Sequence, residues 1–146
     1  MGKKVCTQFN NKATGTQFEQ DFAKILADHG FWAHRLQDNK NGQPFDIIAA
    51  KNGHVYVFDC KDCQSEVFLL KRMEENQRNA MDLWKECGNW EPVFAVRYPG
   101  HEIWLFGYSV LCYLETKGWK QIRRADAETA GMRLEEFLEY EHRDWE

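Results

Sequence analysis

Three residues carry the chemistry most directly written in this chain. Asp46 opens an otherwise apolar stretch, Phe45-Asp46-Ile-Ile-Ala-Ala50, and Asp59 and Lys61 end another, Val55-Tyr-Val-Phe-Asp59-Cys-Lys61. Both stretches read as strands that should be buried, and a carboxylate accepts burial only with a partner, because desolvating the charge costs several kcal/mol. On a strand, residues two apart share a face, so Asp59 and Lys61 point one way and Cys60 the other. In a hairpin, Asp46 can lie beside them on the neighbouring strand. Two carboxylates and an ammonium at one sheet end suit a hard divalent cation such as magnesium, which keeps several of its waters. The lysine could then orient or deprotonate a metal-bound water. The same spacing also fits an exposed Asp-x-Lys pair at a strand end and a turn aspartate after Pro44, and spacing alone does not separate the two.

The elements that must position these residues follow from periodicity. Residues 1–13 are polar, carry Lys3, Lys4 and Lys12, and show no period, which predicts a mobile or loosely docked arm. Phe18, Phe22, Ile25 and Leu26 then mark one buried helical face, with Thr16 and Glu19 in the form of a capping box and Gly30 as terminator. Phe31 to Leu36 reads as a strand and Gln37 to Pro44 as a loop. Phe45 to Ala50, an Asn52-Gly53 turn and Val55 to Lys61 make a hairpin. A long helix is expected over Glu66 to Cys87, with Leu69, Leu70, Met73, Ala80, Leu83 and Trp84 on its inner face. Strands over Pro92 to Tyr98 and Glu102 to Phe106 and a short helix over Tyr108 to Leu114 follow, then a mixed segment. One domain over residues 1–146 is expected, in the order α-β-β-β-α-β-β-α.

The 146 residues can bury a real core, and 43% hydrophobic with 14% aromatic residues argue against disorder. No apolar run approaches the roughly 20 residues that span a bilayer. The lysines at the start are not followed by the apolar stretch of a signal peptide, and five irregularly spaced cysteines do not form a disulfide framework. A cytoplasmic setting is expected. The net charge of −4 is unevenly spread: residues 126–146 hold eight acids against Arg133 and Arg143, a balance of −6, so the rest carries +2. An acidic C-terminal segment on a mildly basic body is compatible with contact to phosphate backbones, although such segments are usually solvated surface.

A set of segments in a fixed order widens the pattern: Gly15-Thr-Gln-Phe-Glu19, Gly30-Phe31 with Arg35 on the strand after it, Pro44-Phe-Asp46-Ile-Ile-Ala, Val57-Phe-Asp59-Cys-Lys61, Gln77 on a long helix, and Val93-Phe-Ala-Val-Arg97. Over about Thr16 to Phe106 this order and spacing resemble the PD-(D/E)XK nucleases, and within them the small Holliday junction resolvases of archaeal and phage type, with a looser likeness to RecU. The resemblance implies an α/β fold, a restriction-endonuclease-like α-β-β-β-α-β core with a mixed central sheet flanked by helices. It implies that Asp46 and Asp59 bind Mg2+ (or Mn2+), one or two ions per site. Glu19 would assist directly or through water, and the backbone carbonyl of Cys60 would join the ligands. Lys61 would be the catalytic lysine and Gln77 a site-facing glutamine, with Arg35 and Lys40 on the DNA. Two departures stand out. The proline is displaced by one position, with Phe45 between Pro44 and Asp46, and Asp59 stands where many relatives carry the longer Glu.

The activity so implied is metal-dependent phosphodiester hydrolysis of branched DNA leaving 5′-phosphates, in a bacterial, archaeal or phage-infected cell. Two symmetric cuts call for a homodimer. A restriction- or repair-type nuclease on the same fold and a catalytically silent DNA-binding protein are the competing readings. Other motifs carry less. Cys60 and Cys63 form a C-x-x-C pair, but Cys6, Cys87 and Cys112 are solitary, so a four-ligand zinc or iron–sulfur site lacks its second half. The pair also lacks the helix N-terminus that activates redox thiols. The five histidines show no metal spacing, and neither a Walker A loop nor G-x-G-x-x-G occurs. Trp32, Trp84, Trp90, Trp104, Trp119 and Trp145 are expected mostly in core or interface.

Overall fold

The computed structural model describes the backbone of residues 2–37 and 44–143 and the side chains of residues 15–37 and 44–142. Helix α1 runs Gly2–Asp28, followed by β1 (Trp32–Arg35), β2 (Ile47–Lys51), β3 (His54–Asp62) and β4 (Val67–Leu69). Helix α2 spans Glu75–Glu86, then come β5 (Val93–Tyr98), β6 (Glu102–Gly107), α3 (Tyr108–Thr116), β7 (Gln121–Arg123), α4 (Ala127–Ala130), β8 (Met132–Arg133) and α5 (Leu134–Arg143). Six strands form a sheet in the order β1-β2-β3-β5-β6-β8. The β3–β5 pair is parallel and the other pairs are antiparallel, so the central sheet is mixed, as expected.

Alternation along the central strands divides the core into two layers. On one face Val57, Phe94, Val96, Trp104 and Phe106 pack with Met81 of α2 and Leu111 of α3. On the other, Tyr56, Phe58, Ala95, Ile103 and Leu105 pack with Phe18, Phe22 and Leu26 of α1 and with Phe137 and Leu138 of α5. Because helices cover both faces, β3, β5 and β6 are apolar at successive positions rather than alternately polar. Phe18, Phe22 and Leu26 repeat every four residues and are fully buried; each such side chain contributes on the order of 2 kcal/mol. At the end of α1, Gly30 takes a φ of +88° and the Phe31 N–H returns to the Leu26 carbonyl, the expected stop. Asn52 and Gly53 both have positive φ, 54° and 82°, as a two-residue turn with the strand twist requires.

Four local expectations are corrected. Helix α1 begins at Gly2, inside the stretch read as an arm over residues 1–13; extending a formed helix costs far less than nucleating one, and no proline interrupts it. Thr16 therefore lies inside α1, so the Thr16–Glu19 pattern is not an N-terminus. The helix expected from Glu66 starts only at Glu75, because β-favouring Val67-Phe-Leu69 pairs with β7 and buries Phe68. On α2 Met81 is the buried residue while Leu83 is 60% exposed. Among the described tryptophans Trp104 is buried, whereas Trp32 and Trp90 are exposed; Trp145 lies outside the described residues. No described helix is long and apolar enough to cross a membrane.

Candidate active site

The β2–β3 register decides which side chains meet. Ile47 pairs with Phe58 at the end of the ladder, and Asp46 stands just before β2 with its carboxyl beside that of Asp59. Asp46 is held by its backbone on both sides: its N–H donates to the Phe58 carbonyl at 3.0 Å, and its carbonyl accepts from Leu36 N–H at 2.9 Å. Its Oδ2 accepts the Cys60 backbone N–H at 2.7 Å. Asp59 and Lys61, two apart on β3, share the face that carries Val57 and Cys63, while Cys60 packs against the α1 layer. Lys61 Nζ lies 3.8 Å from Asp59 Oδ1 and donates to Gln77 Oε1 at 3.2 Å.

Gln77 is placed by a local motif. Its Oε1 also accepts the Glu74 backbone N–H at 3.1 Å, half of the capping box that starts α2. The shift of the helix start from residue 66 to 75 thus brings Gln77 into the first turn, where one oxygen both caps the helix and holds the lysine. Glu19 projects from α1 and meets Arg35 Nη2 of β1 at 3.5 Å. Lys40 lies outside the described residues.

Asp59 is 2% exposed. Burial holds its carboxyl well above the ordinary carboxylate range; the charge of Asp46 and a hydrogen bond with it push the same way, Lys61 opposes them, and Glu19 adds to the rise. As carboxylates the two aspartates are acceptors only, and Asp59 Oδ2 is buried with no hydrogen-bond partner among the described residues. A buried acceptor facing a second acid calls for a proton or a cation between them. No group of three or more His, Cys, Asp or Glu among the described residues is gathered tightly enough to hold a metal alone. A two-carboxylate donor set with an unpartnered oxygen still fits magnesium, which binds through one or two carboxylates and retains water. Glu19 is near enough to act on Asp59 electrostatically and also pairs with Arg35, a position suited to a water-bridged role.

Cys60 and Cys63 are free thiols in opposite core layers, and burial pushes both above the usual thiol range, the reverse of a reactive cysteine. Sequence reasoning missed the residues that frame the site. Arg97 of β5 grips Asp62 of β3 through Nε at 3.0 Å and Nη2 at 3.2 Å, and Asp21 of α1 through Nη1 at 3.2 Å. It thereby fixes the helix that carries Glu19 against the strand that carries Asp59. Arg97 stood in the quoted motif, but nothing local named its partners. Buried Glu141 was also missed among the acids of the C-terminal segment.

Comparison with known proteins agrees with this architecture. The family described as archaeal Holliday junction resolvase (Hjc) matches residues 10–144. A crossover junction endodeoxyribonuclease Hjc of Methanocaldococcus jannaschii is 23% identical over 91 residues, 62% of this chain and 64% of that relative's length. The solved structure of Archaeoglobus fulgidus Hjc, a Holliday junction resolvase from an archaeal hyperthermophile, superposes with a TM-score of 0.64 at 20% identity. That match covers 85% of this chain and 99% of the other, and it is a likeness of fold.

Proposed function

This chain belongs to the archaeal Holliday junction resolvase family, and from that membership we infer that it is a metal-dependent, structure-selective DNA endonuclease acting on four-way junctions. The observation that carries the reading is the close approach of the Asp46 and Asp59 carboxyls at the strand ends, with the Lys61 ammonium beside Asp59. A structural carboxylate pair would be satisfied by donors, whereas Asp59 Oδ2 has none among the described residues.

In this reading Asp46, Asp59 and the Cys60 carbonyl hold one or two Mg2+ (or Mn2+) ions, with Glu19 assisting through water. The bound ion supplies Lewis-acid polarisation of the scissile phosphate and a more acidic water. The rest of the work belongs to the chain itself. Cys60 N–H and the flanking backbone bonds hold Asp46 in place. Lys61, held by Gln77 and Asp59 and 8% exposed, presents a fixed positive charge to the phosphate as negative charge builds on it. Arg35 and Lys40 bind the DNA strands, and hydrolysis leaves 5′-phosphates. Residues 1–146 act as one nuclease unit, two copies pair to make symmetric cuts, and the enzyme works in the cytoplasm.

Cleavage of a four-way junction, a flap, a duplex and a single strand compared side by side with magnesium tests this. The junction is cut in preference to the others, and Asp59→Ala and Lys61→Ala abolish nicking while retaining binding. Parental rates in those variants would overturn the site, and sequence-restricted cutting of duplex alone would overturn the resolvase reading.

A further inference from the structure

Seven arginines have described side chains, and six of them are ion-paired: Arg35, Arg78, Arg97, Arg123, Arg124 and Arg133 each meet a carboxylate. Among the described residues Arg72 makes no ion pair. It closes the helical turn Leu70–Arg72 after β4 and is half-buried. Both of its hydrogen bonds leave from Nη1, to the Asp62 carbonyl at 3.3 Å and Cys63 Sγ at 3.7 Å. Arg72 also borders a cavity of about 470 Å³ at the end of β3 whose wall includes Lys61.

Charge in that cavity favours an anion. Asp62 lines it too, but both of its carboxylate oxygens accept from Arg97. The remaining polar groups, Gln64 and Ser65, can donate. With only Nη1 engaged, and by neutral acceptors, the guanidinium keeps its other N–H groups to donate, in the fork geometry that phosphate oxygens match.

We propose that Arg72 and the cavity at the end of β3 form a subsite for a non-scissile phosphate of the cleaved strand, next to the one facing Lys61. The proposal rests on the nuclease reading above. Arg72 is here a positioning residue: it holds the strand so that the neighbouring phosphate meets Lys61, and it takes no part in bond breaking.

Junctions carrying a single neutral methylphosphonate at successive positions around the cut, with the parent, Arg72→Gln and Arg72→Lys, test it. One methylphosphonate beside the cut slows the parent about tenfold, the size of a lost charge-assisted contact. Arg72→Gln slows the unmodified junction by a similar factor, gains no further loss from that methylphosphonate, and lowers the salt slope of binding by about 1. Arg72→Lys recovers part of the rate. Equal sensitivity of parent and Arg72→Gln at every position overturns the subsite, as does a lowered melting temperature with an unchanged salt slope. A parent that binds and cuts normally alongside an indistinguishable Arg72→Gln removes the subsite alone. A parent inert toward all DNA removes the nuclease reading and the subsite with it.

Discussion

Asp46 accepts the Cys60 backbone N–H at 2.7 Å, which holds its carboxyl beside that of Asp59. Two acids held side by side, Asp59 buried and Asp46 half-buried, repel one another unless a cation or proton intervenes. Asp59→Asn removes one charge and supplies a donor. Without divalent metal it should raise the melting temperature, by a stabilisation of about 1–2 kcal/mol, while abolishing cleavage. Adding magnesium should raise the melting temperature of the parent and leave that of Asp59→Asn unchanged. A thermal-shift series with and without the ion reads both effects, and a variant less stable than the metal-free parent would contradict the repulsion.

Gln77 joins Lys61 to the start of α2 through one oxygen. Gln77→Ala should cost about 1 kcal/mol through loss of the cap and lower the cleavage rate about tenfold through a looser lysine. Junction affinity should hold, because no backbone contact to DNA is removed. A rate loss matched by an equal affinity loss would show that Gln77 binds the strand instead.

Glu141 of α5 is fully buried, accepting from Tyr56 OH and lying 3.1 Å from His54 Nδ1. It fastens the last helix to β3. Glu141→Ala should destabilise the fold by about 2–4 kcal/mol, combining a lost buried acceptor with a cavity. Urea unfolding measures this, and the same substitution at the exposed neighbour Glu139 should be nearly silent.

Arg78 and Glu115 join α2 to α3 through two bonds of 2.8 Å, and the pair holds the Glu115 carboxyl below the usual carboxylate range. Because the folded state lowers this pKa, the contribution is present above the ordinary value and fades as pH falls through the folded one. Glu115→Gln should therefore cost about 0.5–1 kcal/mol at neutral pH, with the gap to the parent closing in acid below about pH 4. A gap that widens in acid would show the sign to be wrong.

Gly131 turns the chain into β8, and a Cβ there would overlap the Leu105 carbonyl oxygen and the Phe106 ring. Gly131→Ala should cost about 1–3 kcal/mol through overpacking and loosen the β6–β8 edge. Faster amide exchange in residues 104–105 reports the second effect.

Much of this protein was legible along the chain because its signals are local. The helical period of Phe18, Phe22 and Leu26, the Asn52-Gly53 turn, and the two-residue spacing of Asp59 and Lys61 each depend on neighbours only, and each stands in the fold as read. What the chain could not state by itself is which distant groups become partners. The pairing of β2 with β3, set by the packing of both sheet faces, brought Asp46 beside Asp59. Pairing with β7 drew Val67-Phe-Leu69 out of the expected helix and moved the start of α2 until Gln77 met Lys61. Long-range contacts also chose which charges are satisfied: Arg97 found Asp62 and Asp21, Glu141 found Tyr56, and Arg72 was left facing the cavity beside the lysine. Side-chain chemistry is inherited from residue type, but desolvation and partner choice arise only when the chain closes on itself, and those two terms decide what a buried charge does.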